Sequence, residues 1–209
     1  MIRLNNNSAN AMEFTSFKKK ENVSDDELLN ALSNFETTLS KHPGLIFHCL
    51  LRNYSNEYAH LLLASSMNNF KNLESNLGHF PEVKFFFELI DMQTVKIEYH
   101  EIQKENFQVP TNFSCVEKGI FSLKEVNNFD KLLQISDTIE KEYLNTFENT
   151  KAHFIGTINT NRYSEITFGE TLGKTKQICM GYFENTFCKK LLEISDETSM
   201  ELDFWYVIA

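Results

Sequence analysis

Four side chains in this chain of 209 residues could carry out acid–base chemistry together. They are His48, His60, His153 and Glu165. An imidazole gains or loses a proton near neutral pH, so it could take a proton from a phenol or an enol. The resulting carbanion could itself react with oxygen, and no cofactor would then be required. The sequence thus allows a catalytic set of these four residues if the fold brings them into one cavity.

Five further residues form a candidate ligand-binding set. The rings of Tyr58, Tyr163 and Trp205 could stack on an aromatic substrate. Glu98 and Asp203 occupy matching places in the last strand of each half of the chain. The competing interpretation is that the histidines are satisfied by hydrogen bonds inside a polar core, or lie on an exposed edge strand, and perform no chemistry.

The sequence does not indicate a metal or a cofactor. Histidine and carboxylate side chains suit zinc or iron, but the spacing of His48, His60, Glu98 and His100 supports no such site. The four cysteines lack a CxxC pair, so neither a zinc site nor a disulfide framework is expected, and the thiols should stay reduced. The cysteines are Cys49, Cys115, Cys179 and Cys188.

Composition and charge narrow the class of protein. Hydrophobic residues make up 42% and charged residues 23%, as in ordinary globular domains. A formal net charge of -9 repels a phosphate backbone, so nucleic acid is not an expected partner. No stretch approaches the roughly 20 apolar residues of a membrane span, and residues 1–11 carry no apolar signal-peptide core. We therefore expect a cytoplasmic protein without membrane contact.

An internal repeat divides the chain. Eight residues between positions 13 and 40 recur 104 positions later with the same identity. The eight are Glu13, Phe17, Lys20, Glu21, Asp26, Leu28, Leu29 and Glu36. After one extra residue the shift becomes 105, which pairs His48 with His153 and Tyr58 with Tyr163. So many identities at a fixed spacing indicate a duplicated unit.

Each half has the pattern of a βαββαβ unit. The predicted elements of the first half are a strand at 12–18, a helix from Ser24 to about Lys41, strands at 45–52 and 57–64, helices after Ser66 and after Pro81, and a strand at 94–102. Those of the second half are a strand at 115–123, a helix at 127–145, strands at 152–158 and 163–170, one helix at 174–194 and a strand at 200–208.

We therefore predict an α+β fold of two tandem ferredoxin-like repeats, at 12–102 and 114–209, joined by a polar linker at 103–113. The helices of each repeat would cover one face of its sheet and leave the other face bare. The two bare faces would pack against each other, sheet to sheet, as an intrachain pseudo-dimeric α/β barrel.

Alternation along the strands assigns side chains to the two faces, because residues two apart point the same way. The set predicted to meet the helices is Ala59, Leu61, Leu63, Ser164, Ile166 and Phe168. The set predicted to line the barrel is Tyr58, His60, Leu62, Tyr163, Glu165 and Thr167. The candidate catalytic residues of both repeats would then share one chamber.

Short motifs of the first repeat suggest a family. They are the Phe14-Thr-Ser-Phe17 strand, the Ser-Asp-Asp-Glu helix start at Ser24, the Pro43-Gly44 turn and the Ala64-Ser65-Ser66-Met67 junction. Together they resemble the dimeric α/β-barrel superfamily, and in particular its antibiotic biosynthesis monooxygenase (ABM) domain. Members of that superfamily include cofactor-independent oxygenases of polycyclic aromatic phenols, haem-degrading enzymes, small-metabolite binders and many proteins without known activity, and the fold alone does not choose among them.

Two features depart from the enzymes of that superfamily. Oxygenase members often place a tryptophan two residues before the serine that opens the second helix, where this chain has Leu63 or Ala64, and Phe168 or Gly169 in the second repeat. A haem-degrading member would have an axial histidine on that helix, and only His79 lies near it.

Two functions follow from these observations. The first is an ABM-like protein that binds a small aromatic metabolite, or oxidises it as a cofactor-independent monooxygenase. The second is a non-catalytic structural or interaction protein whose barrel is filled by side chains. An open pocket that holds His48 or His153 would favour the first. Phe85, Phe86 and Phe87 cannot all face one side of a helix, and an exposed ring there would favour a homodimer.

Overall fold

The computed structural model describes the backbone of residues 1–209 and every side chain except that of Leu77. The chain forms two compact units. Unit 1 consists of Met1–Glu101, Asn106–Gln108 and Val207–Ala209, and unit 2 consists of Ile102–Glu105 and Val109–Tyr206. Each unit contains an antiparallel sheet and three α-helices.

Unit 1 contains a ferredoxin-like βαββαβ arrangement. Its elements are β1 (Ile2–Arg3), β2 (Ala11–Lys19), α1 (Asp25–Leu39), β3 (Leu45–Arg52), β4 (Tyr58–Ala64), α2 (Met67–Leu77), α3 (Pro81–Leu89) and β5 (Ile90–Ile102). The strand order is β1-β3-β4-β2-β5, and all described pairings are antiparallel. The strands predicted at 45–52 and 57–64 match β3 and β4 to within one residue, and the short β1 was not predicted.

Helix α1 begins as its sequence predicts. The Ser24 hydroxyl accepts a hydrogen bond from the Glu27 backbone N–H, and the Glu27 carboxylate accepts one from the Ser24 N–H at 2.8 Å. These bonds satisfy N–H groups that have no partner within the helix. The capping box fixes where α1 begins, and the buried side of the helix faces the sheet through Leu28, Leu32 and Phe35.

Helix α3 divides its three consecutive phenylalanines between two environments. Phe86 is completely buried, whereas Phe85 and Phe87 are exposed. The expectation that the three rings could not share one side of a helix is confirmed. None of the helices in the described chain combines the length and the apolar character needed to cross a membrane.

Unit 2 repeats the arrangement of unit 1. Its elements are β6 (Cys115–Phe121), α4 (Phe129–Glu142), β7 (Thr150–Asn159), β8 (Arg162–Gly169), α5 (Leu172–Met180), α6 (Thr186–Ile194) and β9 (Glu201–Val207). The strand order is β7-β8-β6-β9, which is the order β3-β4-β2-β5 of unit 1 at the equivalent positions.

The prediction of one continuous helix at 174–194 is wrong. Helix α5 ends at Gly181, a 3₁₀ turn follows at Gly181–Phe183, and α6 begins separately. The Asn185 side chain accepts hydrogen bonds from the backbone N–H groups of Phe187 and Cys188, which caps α6. The result is two helices, as α2 and α3 are in unit 1.

The predicted assignment of sheet faces is also wrong, because it is reversed. Tyr58 and Leu62 belong to the apolar cluster that includes Leu28 of α1. The His60 ring contacts those of Phe35 and Phe86, with centroid distances of 5.4 and 4.9 Å. The helices therefore cover the face of Tyr58, His60 and Leu62, and the alternate set, which contains Ala59, Leu61 and Leu63, lies on the other face.

Unit 2 shows the same reversal. Tyr163 belongs to the cluster that includes Leu132 of α4, and Glu165 accepts a hydrogen bond from Tyr182, which lies between α5 and α6. Ser164, Ile166 and Phe168 therefore point away from the helices. Alternation identifies which side chains share a face, but apolar residues on both faces gave no sign of which face the helices cover.

We expect Gly44→Ala to lower the free energy of unfolding by about 2 kcal/mol. Gly44, in the turn before β3, has φ of +94°, which L-residues rarely adopt, and an added Cβ would meet the side chain of Asn69. Urea denaturation monitored by circular dichroism would measure the change. Gly173→Ala is the matched control, because an added Cβ there meets no atom within 4 Å and alanine favours helix α5. Equal losses in the two variants would contradict the argument.

Candidate functional site

A cavity of about 160 Å³ lies inside unit 1, between the helix-covered face of the sheet and the helices. Its wall is mostly apolar, with a few polar groups that come from neighbouring strands. The strand residues are Glu13, Thr15, Phe17, His48, His60, Leu62, Ile90, Met92, Val95, Ile97 and Tyr99, and the helix residues are Phe35, Leu73, Glu74, Phe86 and Phe87. An apolar cavity with a few convergent polar groups is typical of a small-molecule site.

A chain of hydrogen bonds leads from helix α1 to this cavity. The Glu36 carboxylate lies 2.9 Å from Nδ1 of His48, and Nε2 of His48 lies 2.6 Å from Nδ1 of His60. His48 is fully buried, and His60 is 7% exposed. Because Glu36 is on α1 and the histidines are on β3 and β4, the chain also ties the helix to the sheet.

The last atom of this chain has no partner. Nε2 of His60 is buried and makes no hydrogen bond to any group that the structure describes. Nδ1 is already bonded to His48, so Nε2 is the only ring nitrogen that His60 has left for a molecule in the cavity. Burial, together with the neighbouring His48, lowers the pKa of His60 well below its usual value. His60 is therefore a neutral imidazole at neutral pH.

Unit 2 contains a cavity of about 110 Å³ at the equivalent place. The repeat relates ten lining residues of one cavity to ten of the other, with a shift of 104 between β2 and β6 and a shift of 105 from β4 onward. The pairs are Glu13 with Glu117, Thr15 with Gly119, Phe17 with Phe121, His60 with Glu165, Glu74 with Cys179, Phe86 with Leu191, Phe87 with Leu192, Ile90 with Ser195, Val95 with Met200 and Ile97 with Leu202. The duplication has therefore preserved the position of the cavity and changed the chemistry of its wall.

The hydrogen-bonded chain recurs in unit 2 with a different last member. Nδ1 of His153 lies 3.4 Å from Glu140, and its Nε2 lies 2.9 Å from Glu165, which also accepts from Tyr182 at 3.0 Å. Lys104 forms a 2.6 Å ion pair with Glu140. Burial would lower the pKa of His153, but the hydrogen bonds and charges of the two carboxylates outweigh burial and raise that pKa to about 9. His153 is therefore a cation at neutral pH, with both nitrogens already donating.

Each cavity is lined by a glutamate of an equivalent strand, which is Glu13 of β2 in unit 1 and Glu117 of β6 in unit 2. Burial, and then the charge of Glu165, raise the pKa of Glu117 to about 8, so Glu117 is largely protonated at neutral pH. Burial also raises the pKa of Glu13, whose carboxyl accepts a 2.8 Å hydrogen bond from Thr15. A protonated carboxyl can donate a hydrogen bond to a ligand in an apolar site.

The predicted catalytic residues do not form one constellation. His48 and His60 belong to the cavity and hydrogen-bonded chain of unit 1, whereas His153 and Glu165 belong to the network of unit 2. All four lie on the helix-covered faces of their own sheets. The single shared chamber was wrong because it depended on the reversed face assignment.

The predicted ligand-binding residues do not line either cavity. The Tyr58 hydroxyl donates a 2.7 Å hydrogen bond to Asp25, and the Tyr163 ring stacks on Phe129 with a centroid distance of 5.5 Å. Glu98, Asp203 and Trp205 lie on the faces of β5 and β9 that point away from the helices, because Ile97 and Leu202 line the cavities.

Sequence reasoning missed the partners of the histidines. Glu36 and Glu140 recur with a shift of 104, and so do Glu13 and Glu117. These identities were used only to detect the repeat. A charged residue that is retained in both copies of an amphipathic helix, beside a buried strand that retains a histidine, was the available signal. Among the side chains that the structure describes, no group of three or more potential ligands is arranged to hold a metal ion.

Comparison with known proteins finds similarity in structure but not in sequence. No family model and no curated protein sequence matches the chain. A candidate monooxygenase from Fusobacterium nucleatum is 12% identical with a TM-score of 0.69, over 97% of this chain and 94% of that one. A heme-binding protein from Thermus thermophilus is 8% identical with a TM-score of 0.63, over 100% and 95% of the two chains.

The description of a third similar structure mentions the family that the sequence motifs resemble. The structure is that of an uncharacterised ferredoxin-fold protein from Listeria monocytogenes related to antibiotic biosynthesis monooxygenases, 10% identical with a TM-score of 0.54, over 96% of each chain. Likeness at these identities concerns the fold. It confirms the predicted α+β class with two tandem ferredoxin-like repeats.

The raised pKa of His153 predicts how stability depends on pH. Folding favours the protonated form of His153. The contribution of His153 to the free energy of unfolding is therefore complete below pH 6.5, the ordinary pKa of histidine, and is lost as the pH rises to about 9. Between those pH values, the wild-type protein should lose about 3 kcal/mol more of its free energy of unfolding than His153→Gln. Chemical denaturation at a series of pH values would measure this difference.

The control for this prediction is His79→Gln, at an exposed histidine. Its stability should follow the wild-type curve at every pH. The raised pKa of Glu117 also makes the free energy of unfolding fall as the pH rises from 4.5, its ordinary pKa, to about 8. The contribution of His153 is therefore taken from the difference between the wild-type and His153→Gln curves, and not from the wild-type curve alone. Parallel curves for wild type and His153→Gln would show that His153 is not held as a cation.

Proposed function

We propose that the cavity of unit 1 binds a small aromatic molecule with an acidic proton, and that His60 accepts this proton as a catalytic base. The observation that carries the proposal is the buried Nε2 of His60, which has no partner in the described chain. A buried polar atom without a hydrogen bond is costly, so a ligand that donates one would be favoured there. His48 supports His60, and the other predicted residues have no direct role at this cavity.

The size and wall of the cavity set the kind of ligand. A volume of about 160 Å³ is close to the roughly 150 Å³ of an engineered cavity that accepts benzene. The rings of Phe17, Phe35 and Phe86 lie beside His60 and can contact an aromatic ligand at its faces and edges. A compact phenol or enol with one or two rings suits this space, with its hydroxyl directed at Nε2.

The reaction we propose is cofactor-independent oxygenation. Proton transfer to Nε2 of His60 leaves a ligand anion with electron density on a ring carbon, and that carbanion reduces molecular oxygen. When the carbon is a CH₂ group, one oxygen atom forms its new carbonyl and the other leaves as water, so that O₂ is the only oxidant required. The monooxygenase-related structures with the same fold support this choice of reaction class.

The non-catalytic alternative has support in unit 2. Its cavity is smaller, and Glu165, which replaces His60, is held by His153 and Tyr182. No neutral base faces that cavity among the described residues. We propose that unit 2 supplies stability, and that a wholly structural or interaction role for the chain becomes the better account if unit 1 binds nothing.

We base the proposed location in the cell and the proposed partners on the cysteines, the net charge and an exposed phenylalanine. All four cysteines are free and buried, which agrees with a reducing, cytoplasmic location. The net charge of -9 argues against nucleic acid as a partner. Phe85, which is 50% exposed on α3, offers an apolar contact through which two copies of the chain could form a homodimer.

Replacement of His60 should weaken binding of a phenolic probe. Isothermal titration with 1-naphthol should show at least about tenfold weaker affinity for His60→Ala, because the hydrogen-bond acceptor in the cavity is lost. Ile97→Trp should also block binding, since Ile97 lines the cavity and is exposed, so a larger ring at this position can obstruct the cavity without disturbing the core. An oxygen electrode would detect consumption of oxygen with substrates that carry an activated CH₂ group, and His60→Ala should abolish it.

The matched control is His79→Ala, which removes an exposed histidine and should bind 1-naphthol like the wild type. Thermal unfolding of each variant in the absence of probe separates loss of binding from loss of folding. Equal affinity of wild type, His60→Ala and Ile97→Trp would place the probe elsewhere and refute the proposed site.

A further inference from the structure

Glu36, His48 and His60 connect the surface of unit 1 to the interior of its cavity. The Glu36 side chain is 16% exposed, whereas that of His48 is fully buried. Glu36 is hydrogen-bonded to His48 at 2.9 Å, and His48 to His60 at 2.6 Å, so the bonds run without a gap from the carboxylate to a residue that lines the cavity. A continuous chain of this kind can transmit both orientation and protons.

The charge of Glu36 determines the direction in which the hydrogen bonds run. A carboxylate only accepts hydrogen bonds, so Nδ1 of His48 must carry its proton toward Glu36. In a neutral His48 the other nitrogen, Nε2, is then an acceptor, and it requires a donor from His60. Nδ1 of His60 therefore carries the proton, and the buried Nε2 of His60 keeps a lone pair for which the structure describes no partner.

The second repeat supports the importance of the carboxylate. Glu140 and His153 occupy the places of Glu36 and His48, with the same hydrogen-bonded pairing. The third member there is Glu165, an acceptor, and His153 responds by donating from both nitrogens. Where the third member is the neutral His60, the same glutamate and histidine instead fix the tautomer of their neighbour.

We infer that Glu36 is a positioning residue that holds His60 in the Nδ1–H tautomer and receives, through His48, the proton that His60 accepts from a ligand. This inference rests on the proposed function, since it assigns a route to the proton that the proposed reaction releases. Glu36 itself touches no ligand and is not among the residues that line the cavity.

Transfer of the ligand proton along His60, His48 and Glu36, which we call the relay, balances in protons and charge. As Nε2 of His60 takes a proton from the ligand, the proton on its Nδ1 passes to Nε2 of His48, and the proton on Nδ1 of His48 passes to the Glu36 carboxylate. The ligand is left as an anion, both imidazoles remain neutral with exchanged tautomers, and Glu36 becomes a neutral carboxylic acid. Because its side chain is partly exposed, Glu36 can release that proton to water and reset the chain.

The surroundings favour transfer without net charge on the rings. The rings of Phe35 and Phe86 contact His60, and that of Phe35 also contacts His48. An imidazolium in such an apolar layer is disfavoured by burial, whereas a relay that ends on Glu36 avoids one. The carboxyl groups on the cavity wall, Glu13 and Glu74, accept hydrogen bonds from Thr15 and Tyr99. At the outer end of the chain, the Met1 ammonium group lies 3.8 Å from the Glu36 carboxylate.

Nitrogen NMR of the full chain with ¹⁵N-labelled histidine tests the inference directly. The signals of His60 are identified by their loss in His60→Gln. In the wild type at neutral pH, His60 should have a protonated Nδ1 and an unprotonated Nε2. In Glu36→Gln, the neutral amide can donate to His48, so both histidines should change to the Nε2–H tautomer as the main form.

Glu140→Gln is the matched control, because it makes the same change at the equivalent position of unit 2 and should leave the His60 signals unchanged. A wild-type His60 with its proton on Nε2 would overturn the inference, and so would an unchanged tautomer in Glu36→Gln. These signals are recorded without ligand. A predicted tautomer with no binding of 1-naphthol therefore refutes only the proposed function, whereas His60-dependent binding with the wrong tautomer refutes only the relay.

Discussion

The hydrogen bond between a helix carboxylate and a buried strand histidine is the interaction on which both units depend. An imidazole that is removed from water loses free energy for each ring nitrogen that lacks a hydrogen-bond partner. Glu36 supplies the first partner for His48, and Glu140 supplies it for His153. The requirement fixes the height and rotation of α1 and α4 over their sheets, and it leaves one nitrogen of each histidine to be satisfied by the neighbouring strand.

The identity of that neighbour decides what each unit can do. Glu165 completes an ion-paired network around His153, and Tyr182 donates a second hydrogen bond to the same carboxylate oxygen, so unit 2 uses the arrangement for stability. His60, which lines a cavity, completes the chain in unit 1 without charge, and its buried Nε2 has no described partner. One difference between two copies of the same fold therefore separates a structural network from a candidate site of proton abstraction.

The sequence predicted the elements better than it predicted the site. Most helices and strands could be located from the sequence, because local chemistry determines where they begin and end. The signals were hydrophobic spacing, the capping box at Ser24 and the Pro43-Gly44 turn. The break between α5 and α6 was missed, since a 3₁₀ turn at Gly181 keeps a nearly helical pattern.

The two faces of the sheet could not be distinguished from the sequence, because residues such as Leu61 and Leu62 on opposite faces are both apolar and buried. The histidines were recognised, but Glu36 lies on a helix and His48 on the following strand, and hydrophobic spacing alone does not show that the two side chains meet. The most direct test of the account is a crystal structure with 4-bromophenol bound, in which anomalous scattering locates the bromine. The account predicts a single peak in the unit 1 cavity, with the phenol oxygen about 3 Å from Nε2 of His60. A peak in the unit 2 cavity, or on the opposite sheet face beside Trp205, with the His60 cavity empty, would contradict it.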